Sequence, residues 1–154
     1  MKHKNLSPKM KALFEKLGVK EFTRAGKPYY AALNIGCICR VVSHNKIKEL
    51  HEDGDDYKTV KIKQEDGSFR HERVHRLIEE AAGFDIEGLD IHHDNGDKSD
   101  NRLEVLTPAE KKAHILLHRI KDRNPTLYAA MLKELKKEAE IRRGNTKQAS
   151  QEKN

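Results

Sequence analysis

Four histidines make one stretch of this chain chemically distinctive: His92 and His93 stand side by side, and His114 and His118 follow four residues apart. Between the pairs lie Asn101 and the acidic residues Asp94, Asp97 and Asp100. Neutral imidazole is a common metal ligand and also a base that titrates near neutral pH. Residues at i and i+4 share a helix face, so His114 and His118 offer two donors together. Asn95-Gly96 supplies the positive φ angles of a tight connection. Residues 89–93 are therefore expected to enter that connection as a strand, and residues 103–106 to return as a second one. Thr107 is expected to cap a helix, with Pro108 at its first position and Glu110 completing a capping box. The order strand, loop, strand, helix gathers the imidazoles into a site for a divalent cation and a general base. A calcium loop is the competing use of Asp90, Asp94, Asp97 and Asp100. It fails because the glycine is out of phase and no glutamate ends the frame.

The same residues resemble a known family. His92-His93, the turn Asp94-Asn95-Gly96-Asp97, then Asp100-Asn101-Arg102-Leu103-Glu104 and Leu106 look like the HNH motif of ββα-metal endonucleases. The phage and intron-encoded homing enzymes are the most similar group. The match is strong over residues 74–107 and looser from Tyr29 to His118, where Tyr30 to Cys39 resembles the opening of their small sheet module. The resemblance implies a nuclease that cuts or nicks double-stranded DNA, leaving a 5′ phosphate and a 3′ hydroxyl. It implies His93 as general base, Asn101 as the residue that orients it, and His92 as a metal ligand. Relatives often place the second ligand beside the helix-start glutamate, where this chain has Lys111. That ligand is therefore expected one turn later at His114, with His118 as the alternative. The return strand is also shorter than in relatives. Arg76, Lys98, Arg102 and Lys111 are the expected DNA contacts, and Arg40, Lys46, Lys48, Lys58, Lys61 and Lys63 would follow the backbone. One divalent cation is expected, Mg²⁺ or Mn²⁺ ahead of Zn²⁺. Two rivals remain: a DNA-binding protein with an inactive HNH fold, and a zinc module whose histidines staple hairpin to helix.

The chain as a whole agrees with this reading. Its 154 residues allow one modest domain with appendages, and with 36% charged residues, 5% aromatics and no Trp the core must be small and aliphatic. A net charge of +6 suits a polyanionic partner. No apolar run is long enough for a bilayer, and the start lacks the apolar core of a signal peptide. A soluble cytoplasmic protein in a bacterial host is expected, of phage or mobile-element type, with no membrane partner and no small-molecule cofactor. Monomer and homodimer are both open. Cys37 and Cys39 lack a second Cys pair to complete a zinc site, so they are expected as small strand residues.

The fold class follows as α+β: a small antiparallel sheet region, then a ββα-metal HNH motif and C-terminal helices. Residues 1–20 are expected to hold a capped amphipathic helix from Ser7-Pro8 to Gly18. Residues 21–72 form a small antiparallel β module with possible DNA contact, punctuated by Asp53-Gly54 and Asp66-Gly67. Residues 73–122 form the nuclease core, entered through a helix over 72–82 that carries His75, expected mainly as a packed residue. A last helix spans 123–143 behind Asn124-Pro125. The polar tail 144–154 is expected to be disordered.

Overall fold

A computed structural model describes residues 6–43 and 46–152. The first helix, α1, spans Pro8–Lys16, with the Ser7 hydroxyl accepting from the Met10 amide at 3.4 Å. It buries Phe14 against Tyr30, on a small apolar cluster with Leu6, Val19, Ala32 and Cys37.

Two antiparallel sheets follow where the sequence suggests a single one. The first runs β1 (Val19–Arg24), β2 (Lys27–Ala32), β3 (Cys37–Ser43) and β4 (Lys46–Glu49), each paired with its neighbour in sequence. The second runs β5 (Glu52–Asp53), β6 (Thr59–Lys63) and β7 (Phe69–Arg73). β1 begins two residues ahead of the expected sheet region, and it buries Val19 on one side, in the cluster with Phe14, and Phe22 on the other, in the main core. Cys37 and Cys39 sit on one face of β3 with their sulfurs 3.8 Å apart and both reduced.

Helix α2 (Val74–Ala81) starts two residues later than expected, because Glu72 and Arg73 still pair with β6. It drives Val74, Leu77 and Ile78 into the main core, where they meet Ile38, Val60, Ile62, Ile91 and Leu106. Glu79 is also fully buried on this helix. The hairpin that carries the histidines packs directly onto that core.

β8 (Asp90–His93) pairs antiparallel with β9 (Leu106–Ala109), placing His92 across from Thr107 and His93 across from Leu106. The return is thus not a strand from residue 103. Residues Leu103–Val105 form one 3₁₀ turn, and pairing begins only at Leu106. Thr107 and Pro108 consequently belong to the strand and not to a helix cap. The Thr107 hydroxyl donates to Asp94 Oδ1 at 2.8 Å, so it is spent before it could cap anything. Helix α3 runs Lys111–Ile120 with Glu110 at its N-cap position.

Helix α4 runs Pro125–Glu152, its first turn closed by Asn124 Oδ1 accepting from the Leu127 amide. It passes the expected end near residue 143 and takes in most of the tail expected to be disordered; residues 153–154 lie outside the described part. Lys147, Gln148, Ala149, Gln151 and Glu152 are good helix formers, and Gly144 costs the helix only about 1 kcal/mol. Three side chains tie α4 to the hairpin and α2. Tyr128 reaches His92, Lys136 pairs with Asp94, and Arg143 clamps the buried Glu79 through Nε and Nη2. Among the described residues no helix is long and apolar enough to cross a membrane.

Candidate active site

Alternation along β8 sends its residues to two sides. Asp90 and His92 face α3, while Ile91 and His93 face the core and α2. Each histidine of the pair therefore enters a different environment.

On the α3 side, His92, His114 and His118 bring ligand-capable nitrogens within 4.8 Å of one another, the one such group of His, Cys, Asp and Glu among the described residues. The Nε2 atoms of His114 and His118 lie 3.0 Å apart, one turn of helix delivering both to one point. His92 uses Nε2 with the Tyr128 hydroxyl at 2.9 Å, and its buried Nδ1 has no partner. A buried, unpartnered ring nitrogen on a histidine grouped with two converging imidazoles suits a cation site. The surroundings extend the fit. Asp90 Oδ2 lies 3.1 Å from His114 Nδ1, the carboxylate–imidazole pairing that orients a metal-binding histidine. Burial first, then the neighbouring His114 and His118, push His92 down to about 4. Burial and His114 also lower His118. Both rings are thus kept neutral, as a ligand must be.

On the α2 side, His93 is almost fully buried and Nε2 lies 3.1 Å from Asn101 Oδ1. A side-chain carbonyl only accepts, so Nε2 carries the proton and the lone pair resides on Nδ1. Asn101 is itself fixed from the far end of the chain. The turn at Gly36 (φ +74°) lies so close that a Cβ there would stand 2.4 Å from the Asn101 carbonyl carbon, and the Leu103 amide donates to Leu33 O at 2.9 Å. The intervening loop is bonded to itself. Asp97 accepts from the Ser99 amide and hydroxyl, Asn95 donates to Asp100, and Asp100 receives Arg102.

His75 and Tyr57 complete this side. The His75 ring lies 5.2 Å from that of His93, edge-on, and the same distance from Tyr57, whose ring is 5.9 Å from His93. Burial, reinforced by His93 and by Arg73 and Arg76, pushes His75 down to about 3, so it stays neutral beside His93.

No family model matches the chain, and no curated protein does. Among solved structures it is similar to one described as "DNA binding and cleavage by the HNH homing endonuclease I-HmuI". The likeness has a TM-score of 0.47 at 25% identity, over 62% of this chain and 52% of that one. The present chain thus spans about half the length of that protein.

Of the residues singled out from sequence, His92, His114 and His118 come together, and so do His93 and Asn101. The basic residues divide. Arg76 is spent inside the fold, donating to Leu89 O at 2.9 Å and Ile86 O at 3.0 Å, which pins the segment before β8. Arg102 is occupied by Asp100 and Glu104. Lys111 is exposed at the start of α3. Lys98 stands 4.9 Å from the Tyr57 ring centre, with Asp56 at 3.7 Å. From sequence Asp90 enters only as part of the rejected calcium loop, although period-two alternation from His92 places it beside the imidazole cluster. Sequence reasoning passed over Tyr57, Arg73 and Tyr128, which no local pattern marks.

Proposed function

We propose that this protein is a metal-dependent endonuclease of HNH type that hydrolyses phosphodiester bonds in double-stranded DNA. The observation that carries the reading is the split of one histidine pair: His92 in a three-imidazole cluster, and His93 beside it on a hydrogen bond to Asn101. The net charge of +6 suits a polyanionic substrate.

His92, His114 and His118 would hold the cation. Three imidazoles suit Zn²⁺ or Ni²⁺ better than Mg²⁺ or Mn²⁺, which prefer oxygen, so the expectation of Mg²⁺ or Mn²⁺ weakens on this donor set. When bound, the cation supplies positive charge against the phosphate and the departing oxygen. His93 Nδ1 accepts the proton of the attacking water as its oxygen bonds to phosphorus. The P–O3′ bond breaks, and the 3′ oxygen takes its proton from solvent. Asn101 keeps Nε2 protonated and the ring aimed, so the base needs no reorganisation. Three protein ligands leave an open position, which favours a catalytic over a purely structural metal.

The test is conversion of supercoiled plasmid to nicked or linear form with Mn²⁺, Zn²⁺, Ni²⁺, Mg²⁺ or EDTA. Metal-dependent cutting by the wild type that His93→Ala abolishes is the expected result. Tight plasmid binding with no cutting under any ion would instead identify a DNA-binding protein with an inactive site.

A further inference from the structure

Arg73 keeps its guanidinium unspent where several arginines around it do not. Arg24 binds Glu72 and Glu80, Arg76 two carbonyls, Arg102 two carboxylates and Arg143 Glu79. Arg73 is exposed at the end of β7, and among the described residues its guanidinium makes no hydrogen bond or ion pair. Its guanidinium carbon lies 4.8 Å from the centre of the Tyr57 ring. The Lys98 ammonium, from the hairpin loop, lies 4.9 Å from the same centre. Lys98 has the exposed Asp56 carboxylate 3.7 Å away, whereas Arg73 has no carboxylate partner among the described residues, so the pair keeps positive charge to offer an anion. The ring they share touches His93.

The backbone fixes this arrangement. Arg73 pairs with Thr59 across the β6–β7 ladder, and the Val74 amide donates to Lys58 O at 2.9 Å, so Arg73 is held close to Tyr57. Lys58 Nζ in turn bonds Gly54 O at 2.7 Å and closes the loop that carries Tyr57.

We propose that Arg73 and Lys98, carried on the Tyr57 ring, form a two-cation clamp for the phosphodiester on which His93 acts. The proposal rests on the nuclease reading and deepens it. Arg73 supplies a planar fork of N–H donors to two phosphate oxygens, and Lys98 a compact charge. Tyr57 is a positioning residue that holds both against the face of His93. The expected contact is with the reacting phosphate itself and not a neighbour along the strand, so its loss falls on turnover.

The experiment measures plasmid nicking at saturating DNA, metal content, urea midpoint, and duplex affinity in EDTA across a salt series. Arg73→Ala is expected to lower kcat about 100-fold with KM little changed. Arg73→Lys recovers only part of that, because a point charge lacks the fork. Tyr57→Ala loses as much as Arg73→Ala and Lys98→Ala combined, and Tyr57→Phe, which keeps the ring, recovers most of it. Lys11→Ala on α1 controls for one lost charge. Metal content and midpoint should stay at wild-type values in the Arg73 variants. If Arg73→Ala and Lys98→Ala cut at the wild-type rate while His93→Ala does not cut, the clamp is overturned and the nuclease reading stands. A rise in KM alone would likewise overturn it, placing Arg73 on a neighbouring phosphate. If the wild type cuts nothing under any ion, the nuclease reading falls by itself, and the clamp is read by binding. Affinity about tenfold weaker in Arg73→Ala, with a salt slope shallower by about one, sustains a phosphate site there. Unchanged affinity removes it.

Discussion

The two sides of β8 are built from different stretches of the chain. The imidazole cluster takes all of its members, His92, His114 and His118, and its supports Asp90 and Tyr128, from residues 90–128. The His93 side has one functional ring, and its surroundings come from Gly36, Tyr57, His75 and Asn101. A metal site tolerates some slack because three donors share the load. His93, the proposed base, has one hydrogen bond and no such redundancy, and its rigidity comes from distant packing.

The sharpest test of this contrast is the histidine pair. His93→Ala should lower DNA cleavage about 1,000-fold while metal content, measured by elemental analysis, stays at one per chain. His92→Ala should lose both metal and cleavage. Equal metal loss in the two variants would break the contrast.

The next effect belongs to the distant supports. Asn101→Ala should cost about 100-fold in kcat through misplacement of the ring, with metal binding kept. Gly36→Ala should act in the same direction and also lower stability, since its new methyl would overlap the Asn101 carbonyl at a positive φ. Wild-type cleavage in Gly36→Ala would show that the turn does not set Asn101.

A change that should ignore the contrast comes third. Arg143→Ala strands Glu79, which is buried to 0% exposure and whose carboxyl is already raised by burial against the opposing pull of Arg143. Breaking such a pair costs about 3–5 kcal/mol, read as a lower urea midpoint, with both sides of β8 affected alike.

The smallest effect is in pH. His75 titrates near 3 in the fold and near 6.5 unfolded. Between those values the unfolded chain binds a proton that the native chain does not, so stability is complete above about 6.5 and falls as pH drops. In EDTA, wild type should lose about 2 kcal/mol more than His75→Leu between pH 7 and pH 5. Parallel losses would mean that His75 takes a proton inside the fold.

How much of this was legible in the sequence depended on distance along the chain. His92, His93, Asn101 and the i, i+4 histidines are local signals, and the structure brings them into two groups. The helix start was misplaced because Thr107-Pro108-Ala109-Glu110 carries every local mark of a cap, while pairing with β8 claims those residues for a strand. That shift also sets the register of α3, which turns both His114 and His118 toward His92. Arg76 was unreadable for a related reason: its partners are carbonyls of Ile86 and Leu89, and no sequence pattern marks a carbonyl that needs a donor. Arg73 and Tyr57 meet only because two strands and a loop fold back beside the hairpin.

The close approach of Gly36 to Asn101 also has a consequence in time. Contacts between residues near in sequence close quickly, whereas those that join distant segments wait on the loops between them. The β8–β9 hairpin and α3 can therefore gather their three imidazoles before the turn at Gly36 docks. A refolding chain should acquire its metal ahead of its activity, with the lag set by the arrival of a glycine that touches neither metal nor substrate.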